Sequence, residues 1–203
     1  MANCTTAGGE EHDKRYLCWN MVGTMIVRRA DFGRAIHIEF ANKEFHQNLV
    51  FNDEIGASLG TMSYSGAFMA SKAREINLDQ YEEEEQMLNE DELESLHASY
   101  VQFRPFHSWK NIRAWKYQLP RGEDADALAV GSGWCAVATS LNYLRIFSTE
   151  GVQRFMLSFA LPIVSLSAHE NLLAVIHTAV PVVGHQNLGV RVIDTQNRHR
   201  TLV

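Results

Sequence analysis

Hydrophobic and polar positions alternate in short bursts along most of this chain, and turn residues cut the bursts apart. The pattern is densest between Asp126 and Phe159: DALAVGSGWCAVATSLNYLRIFSTEGVQRFMLSF. Four strands are predicted there, over 127–130, 134–139, 143–147 and 152–159. The turns between them are Gly131-Ser132-Gly133, Ser140-Leu141-Asn142 and Thr149-Glu150-Gly151. Short runs rich in β-branched and aromatic residues, joined by tight turns, make an antiparallel meander. The second run has small apolar residues on both faces (Ala136, Val137, Ala138), as an inner strand covered on both sides requires.

The same grammar extends both ways. Upstream, strands are expected over 16–20 and 24–29 as a hairpin, over 35–40, in shorter pieces at 48–51 and 55–59, and at 61–64 and 67–71. In 35–40 the alternation places Ile36, Ile38 and Phe40 on one face and His37 and Glu39 on the other. Strand character resumes at 100–103 and 112–119. Downstream, 163–167, 172–177, 189–194 and 201–203 repeat the order. Corresponding positions Leu128 and Val164, Ala138 and Val175, and Phe147 and Ile193 are 36, 37 and 46 residues apart. The widening to 46 falls in a longer loop at 179–187. Four-stranded meanders recurring at about 40 residues are blades of a β-propeller. The chain holds material for three to four blades, so an all-β, partial β-propeller belonging to a larger ring is expected. An unclosed arc exposes sheet edges and apolar blade faces.

Two segments break the rhythm. Residues 1–15 show no apolar periodicity and read as a flexible leader or linker, with the propeller occupying 16–203. Residues 72–98 form an acidic insertion, expected to be disordered or transiently helical because like charges repel.

Charge follows from that insertion. The net charge is −6, yet nine acidic residues and no Lys or Arg lie between Asp79 and Glu94, leaving the remainder slightly basic. No global nucleic-acid footprint results. Glu82, Glu83, Glu84, Glu85, Glu90, Asp91 and Glu92 are the candidate interaction residues, for docking basic protein surfaces; the plainer reading is a solvated loop. Cys4, Cys18 and Cys135 form no CxxC pair and are expected to be reduced, structural thiols. No run approaches the ~18 apolar residues of a membrane span, so a soluble, intracellular chain is expected.

Signs of catalysis are thin. Gly131-Ser132-Gly133 lacks the third glycine and helix of a dinucleotide loop and the spacing of a nucleophile elbow, and reads as a tight turn. The nine histidines, His37, His107 and His169 among them, show no ligand spacing and are expected at surfaces or blade edges, so no metal or cofactor is assigned. Trp19, Trp109, Trp115 and Trp134 invite comparison with a base-stacking platform. Lying in or near separate strands, they are expected instead to pack between blades, Trp134 above all.

Four stretches, LCWNMVG (17–23), LAVGSGWCAVATSLNYLRIFSTEGVQ (128–153), PIVSLSAHENLLAVIH (162–177) and LGVRVIDTQ (188–196), resemble the SepB propeller domain of the eukaryotic replisome adaptors. These are the WD-repeat and HMG-box DNA-binding proteins, or acidic nucleoplasmic DNA-binding proteins, related to the fungal chromosome transmission fidelity adaptor. The similarity runs from Tyr16 to Asp194. It implies a six-bladed ring that assembles as a homotrimer in the nucleus. It also implies tethering of DNA polymerase α–primase and of the GINS component of the replicative helicase, through helical elements expected beyond Val203. Chromatin or DNA association is expected to be indirect or through other regions. The resulting expectation is a non-enzymatic replication scaffold without a small-molecule substrate. The alternatives are a WD-type interaction module outside replication and a propeller hydrolase, which would need ionisable side chains converging in the channel.

Overall fold

The structure, a computed structural model, describes residues 14–30, 33–73, 98–106, 113–180, 187–196 and 200–201, of which Ala30, Arg200 and Thr201 contribute backbone alone. Every regular element among them is a strand. Four sheets follow one another along the chain, each a four-stranded antiparallel meander in simple sequence order. Blade 1 holds β1 (Lys14–Trp19), β2 (Gly23–Ala30), β3 (Gly33–Phe40) and β4 (Leu49–Asn52). Blade 2 holds β5 (Leu59–Ser63), β6 (Gly66–Ala70), β7 (Tyr100–Pro105) and β8 (Trp115–Gln118). Blade 3 holds β9 (Ala125–Val130), β10 (Trp134–Thr139), β11 (Tyr143–Ser148) and β12 (Gln153–Ser158). Blade 4 holds β13 (Ile163–His169), β14 (Leu172–Thr178), β15 (Leu188–Asp194) and β16 (Arg200–Thr201).

The first strands of successive blades are neighbours: β1 packs beside β5, β5 beside β9 and β9 beside β13. That arrangement, with meanders radiating from a row of first strands, is a partial β-propeller, as the repeat predicts. Side chains alternate across each sheet, so every inner blade has two faces to cover. In β10, Trp134, Ala136 and Ala138 meet Ile163, Leu173 and Val175 of blade 4. Cys135 and Val137 on the opposite face join Phe68 and Phe103 of blade 2. In β6, Ala67 and Met69 meet Met25, Ile36 and Ile38 of blade 1, while Phe68 and Ala70 turn to blade 3. Three apolar seams therefore hold the four blades, and β6 and β10 are buried along their whole length.

Boundaries moved where local chemistry outranked the apolar pattern. The piece expected at 55–59 yields only Leu59 to a strand. The side chain of Asp53 accepts the Ala57 amide at 2.9 and 3.0 Å, which fixes the preceding residues as a turn. The strand expected over 112–119 is confined to Trp115–Gln118 among the described residues. β1 begins at Lys14, inside the stretch expected as a leader, and β9 begins two residues early, at Ala125. Of the acidic insertion only Lys72, Ala73 and Ala98 are described; the Ala73 amide donates to Asp124 Oδ1 at 2.6 Å, and residues 74–97 lie outside the described residues.

Candidate interaction surfaces

The Gly131-Ser132-Gly133 turn serves packing between blades. The Ser132 amide donates to Glu170 O at 2.8 Å, and Trp134 Nε1 donates to the same carbonyl at 3.0 Å. A Cβ at Gly131 would enter the Trp134 indole. Gly133 holds φ at 76°, a left-handed value that favours glycine. The turn thus bolts blade 3 to the β13–β14 turn, with the Gly131 amide donating to Trp134 O at 3.0 Å and the Ser132 amide to Glu170 O.

Three of the tryptophans separate. Trp134 is fully buried. Trp115 is half-buried against Phe68, Phe103 and Phe147 and donates Nε1 to Thr149 O at 2.9 Å. Trp19 contradicts the packing expectation: it is 83% exposed. A register shift between Tyr16 and Cys18 inserts one extra residue, Leu17, into β1. Cys18 then pairs with buried Met25, and Trp19 pairs with Thr24 and turns away from the blade 1–2 seam. Trp109 lies outside the described residues, as do His107 and all seven acidic candidates, Glu82, Glu83, Glu84, Glu85, Glu90, Asp91 and Glu92.

The histidines follow the surface expectation only in part. His169 is exposed, but His37 and His177 are half-buried, and His46 is enclosed between Phe40 and Phe106, with ring nitrogens 2.6 Å from Gln47 O and 3.1 Å from Phe106 O. Among the described residues no group of three or more His, Cys, Asp or Glu is placed to hold a metal ion.

Ionisable groups in the interior are spent on structure. Arg145 of β11 forks onto Glu123, with Nη2–Oε1 at 2.6 Å and Nε–Oε2 at 2.9 Å, and donates Nη1 to Gln153 at 3.1 Å. Both partners are almost fully buried, and the hydrogen bonds to Glu123 hold the guanidinium pKa above its ordinary value. Arg34 Nε meets Asp53 at 3.2 Å and its Nη2 donates to Ala57 O at 2.8 Å. Burial raises the Cys135 thiol far above the ordinary range and raises Cys18 as well, so neither is an activated nucleophile.

Contact surfaces are more conspicuous. Trp19, Met21 and Tyr64 are exposed on the β1–β2 and β5–β6 hairpins, whose ends are tied by Asn20 Nδ2 donating to Met62 O at 2.7 Å. Phe45 of the β3–β4 loop supports Tyr64 edge-on, ring centroids 5.1 Å apart. On blade 4, Leu172, Ala174, Ile176, Leu188, Val190 and Val192 share the face turned away from blade 3, with Val190 55% exposed. Exposed apolar faces of this kind mark contact with other chain segments or proteins. Among the described residues no helix is long and apolar enough to cross a membrane.

The four sheets together define a partial β-propeller. Residues 2–203 match the family described as "Minichromosome loss protein, Mcl1, middle region", and the chain belongs to that family. It is 28% identical over 190 residues to "WD repeat and HMG-box DNA-binding protein 1" of Xenopus laevis, covering 93% of this chain and 15% of that protein. The Mus musculus protein of the same name is 30% identical over 181 residues, covering 89% of this chain and 14% of the relative. The chain therefore spans about one-seventh of the length of these relatives. Neither name denotes an enzyme. Among solved structures, "Crystal structure of HIRA(644-1017)" superposes with a TM-score of 0.47 at 13% identity, over 71% of this chain and 36% of that one.

Proposed function

We propose that this chain is part of a non-catalytic scaffold acting in chromosomal DNA replication and maintenance in the nucleus. The observation that carries the reading is the family match across residues 2–203, in a family described by minichromosome loss, with relatives named for DNA binding. The architecture agrees with it: blades locked by apolar seams make a stiff spacer, and the buried charges serve packing. In this reading the propeller closes with further blades, self-associates as a trimer, and holds clients at the fork, DNA polymerase α–primase and the helicase component GINS among them. Its mechanism is avidity. Several weak client segments on one rigid assembly act at a raised effective concentration, so the assembly holds its clients more tightly than any single contact does.

The test uses the full-length protein. Affinity purification from S-phase nuclear extract is expected to recover polymerase α and GINS, and sedimentation is expected to give about three times the protomer mass. Recovery of neither client would overturn the replication reading in favour of a WD-type module outside replication. A monomer at micromolar concentration would overturn the avidity mechanism.

A further inference from the structure

Blade 2 turns one side of its two outer strands toward blade 1, and that side carries two cations. Tyr100, Gln102 and Arg104 of β7 alternate onto it, and Lys116 of β8 stands directly opposite Gln102. The Arg104 guanidinium lies over the Phe51 ring of blade 1, 4.2 Å from its centroid. The Lys116 ammonium lies over the Tyr100 ring at 3.8 Å. Both rings pack onto the apolar seam between blades 1 and 2, so the cations are held along its outer margin. Neither forms an ion pair with a carboxylate among the described residues. Gln102, next to both on the same face, is only 6% exposed, and its Oε1 accepts no hydrogen bond. A buried acceptor left unpaired is costly.

We propose that this margin docks an extended acidic peptide of a partner protein, with Asp or Glu at alternate positions. Arg104 and Lys116 are diagonal neighbours across the β7–β8 pair, roughly 7–8 Å apart at the backbone. Side chains at i and i+2 of an extended chain lie about 7 Å apart and point the same way. Two carboxylates at that spacing meet both cations together, and the guanidinium fork accepts one of them in bidentate fashion. The peptide group between the two acidic residues supplies the N–H that Gln102 Oε1 lacks. Lys116 is exposed and Arg104 half-buried, so both can swing from their rings onto the carboxylates and admit the peptide to Gln102. Gln102 also decides the class of partner. A phosphate backbone carries acceptors only and leaves Oε1 unpaired, whereas a peptide backbone brings a donor with every residue but proline. The site gives these blades a client contact of their own, and it stands or falls separately from the replication reading.

The test follows the fluorescence anisotropy of a labelled synthetic peptide of alternating Glu and Thr, titrated with the full-length protein. Wild type is expected to bind it, and to bind more weakly a peptide of the same composition with all its Glu residues in one block. Arg104→Gln combined with Lys116→Gln is expected to weaken binding of the alternating peptide by about tenfold or more. Gln102→Leu keeps both cations. It is expected to weaken binding by about threefold to tenfold and to leave the dependence of affinity on salt unchanged. Arg121→Gln, which removes an exposed cation from the β8–β9 connection, is expected to change neither. Circular dichroism verifies that each variant is folded. Unchanged affinity in the folded double variant overturns the proposal. So does equal affinity of wild type for the alternating and block peptides, which would make the contact diffuse charge attraction.

Discussion

Trp134 and Trp19 show how far one residue type can diverge within one sheet grammar. Trp134 fills the seam between blades 3 and 4 and donates to Glu170 O, so Trp134→Ala removes a large buried ring and a hydrogen bond together. A loss of about 3–5 kcal/mol in urea unfolding is expected. Trp19→Ala, at an exposed position, is expected to stay within about 0.5 kcal/mol of wild type in the same measurement. The Arg145–Glu123 pair gives a second contrast. Glu123→Gln strands a buried guanidinium and is expected to cost about 3–5 kcal/mol. Replacing both residues with apolar ones of similar volume is expected to recover most of that loss. The cysteines set the alkaline limit. Both thiols have pKa values raised on folding, so the native state keeps protons that the unfolded chain releases. The contribution is therefore full below the unfolded thiol pKa of about 8.5 and declines as pH rises beyond it. Denaturant midpoints at pH 7.5 and 9.5 are expected to fall in that order, with a smaller fall in Cys135→Ala.

At the scale of the element, the sequence pattern was most legible where burial is symmetric. The run WCAVAT carries apolar residues at every position but its last, and β10 is buried along its full length. The alternation of Ile36, Ile38 and Phe40 against His37 and Glu39 survives intact in β3. Illegible features arose from single hydrogen bonds and register shifts. Nothing in YLCWN announces that one extra residue will send Trp19 outward, and nothing in NDEIGAS shows Asp53 capturing the Ala57 amide. Asp53→Ala is accordingly expected to cost about 1–3 kcal/mol, because it also leaves Arg34 without its carboxylate.

At the scale of the whole molecule, the repeat spacing anticipated three to four blades, and the described residues form four. The outward face of blade 4 carries its own prediction. Val190→Asp with Ile176→Lys is expected to reduce self-association and dye binding of the isolated 203-residue chain, measured by light scattering and ANS fluorescence.

Each seam joins only consecutive blades, with 1 against 2, 2 against 3 and 3 against 4. Energetically the array is a line of links, and its cooperativity depends on how those links compare with the blades they join. Within these four blades, the first and the last share a seam with one of the others, whereas each inner blade shares two. In the isolated 203-residue chain, opening is therefore expected to start at blades 1 and 4 and travel inward. Amide exchange is expected to be slowest in β6 and β10, faster in β2, and faster again toward β16. A defect in the middle link, such as Phe103→Ala, divides the line into two pairs that unfold in separate transitions.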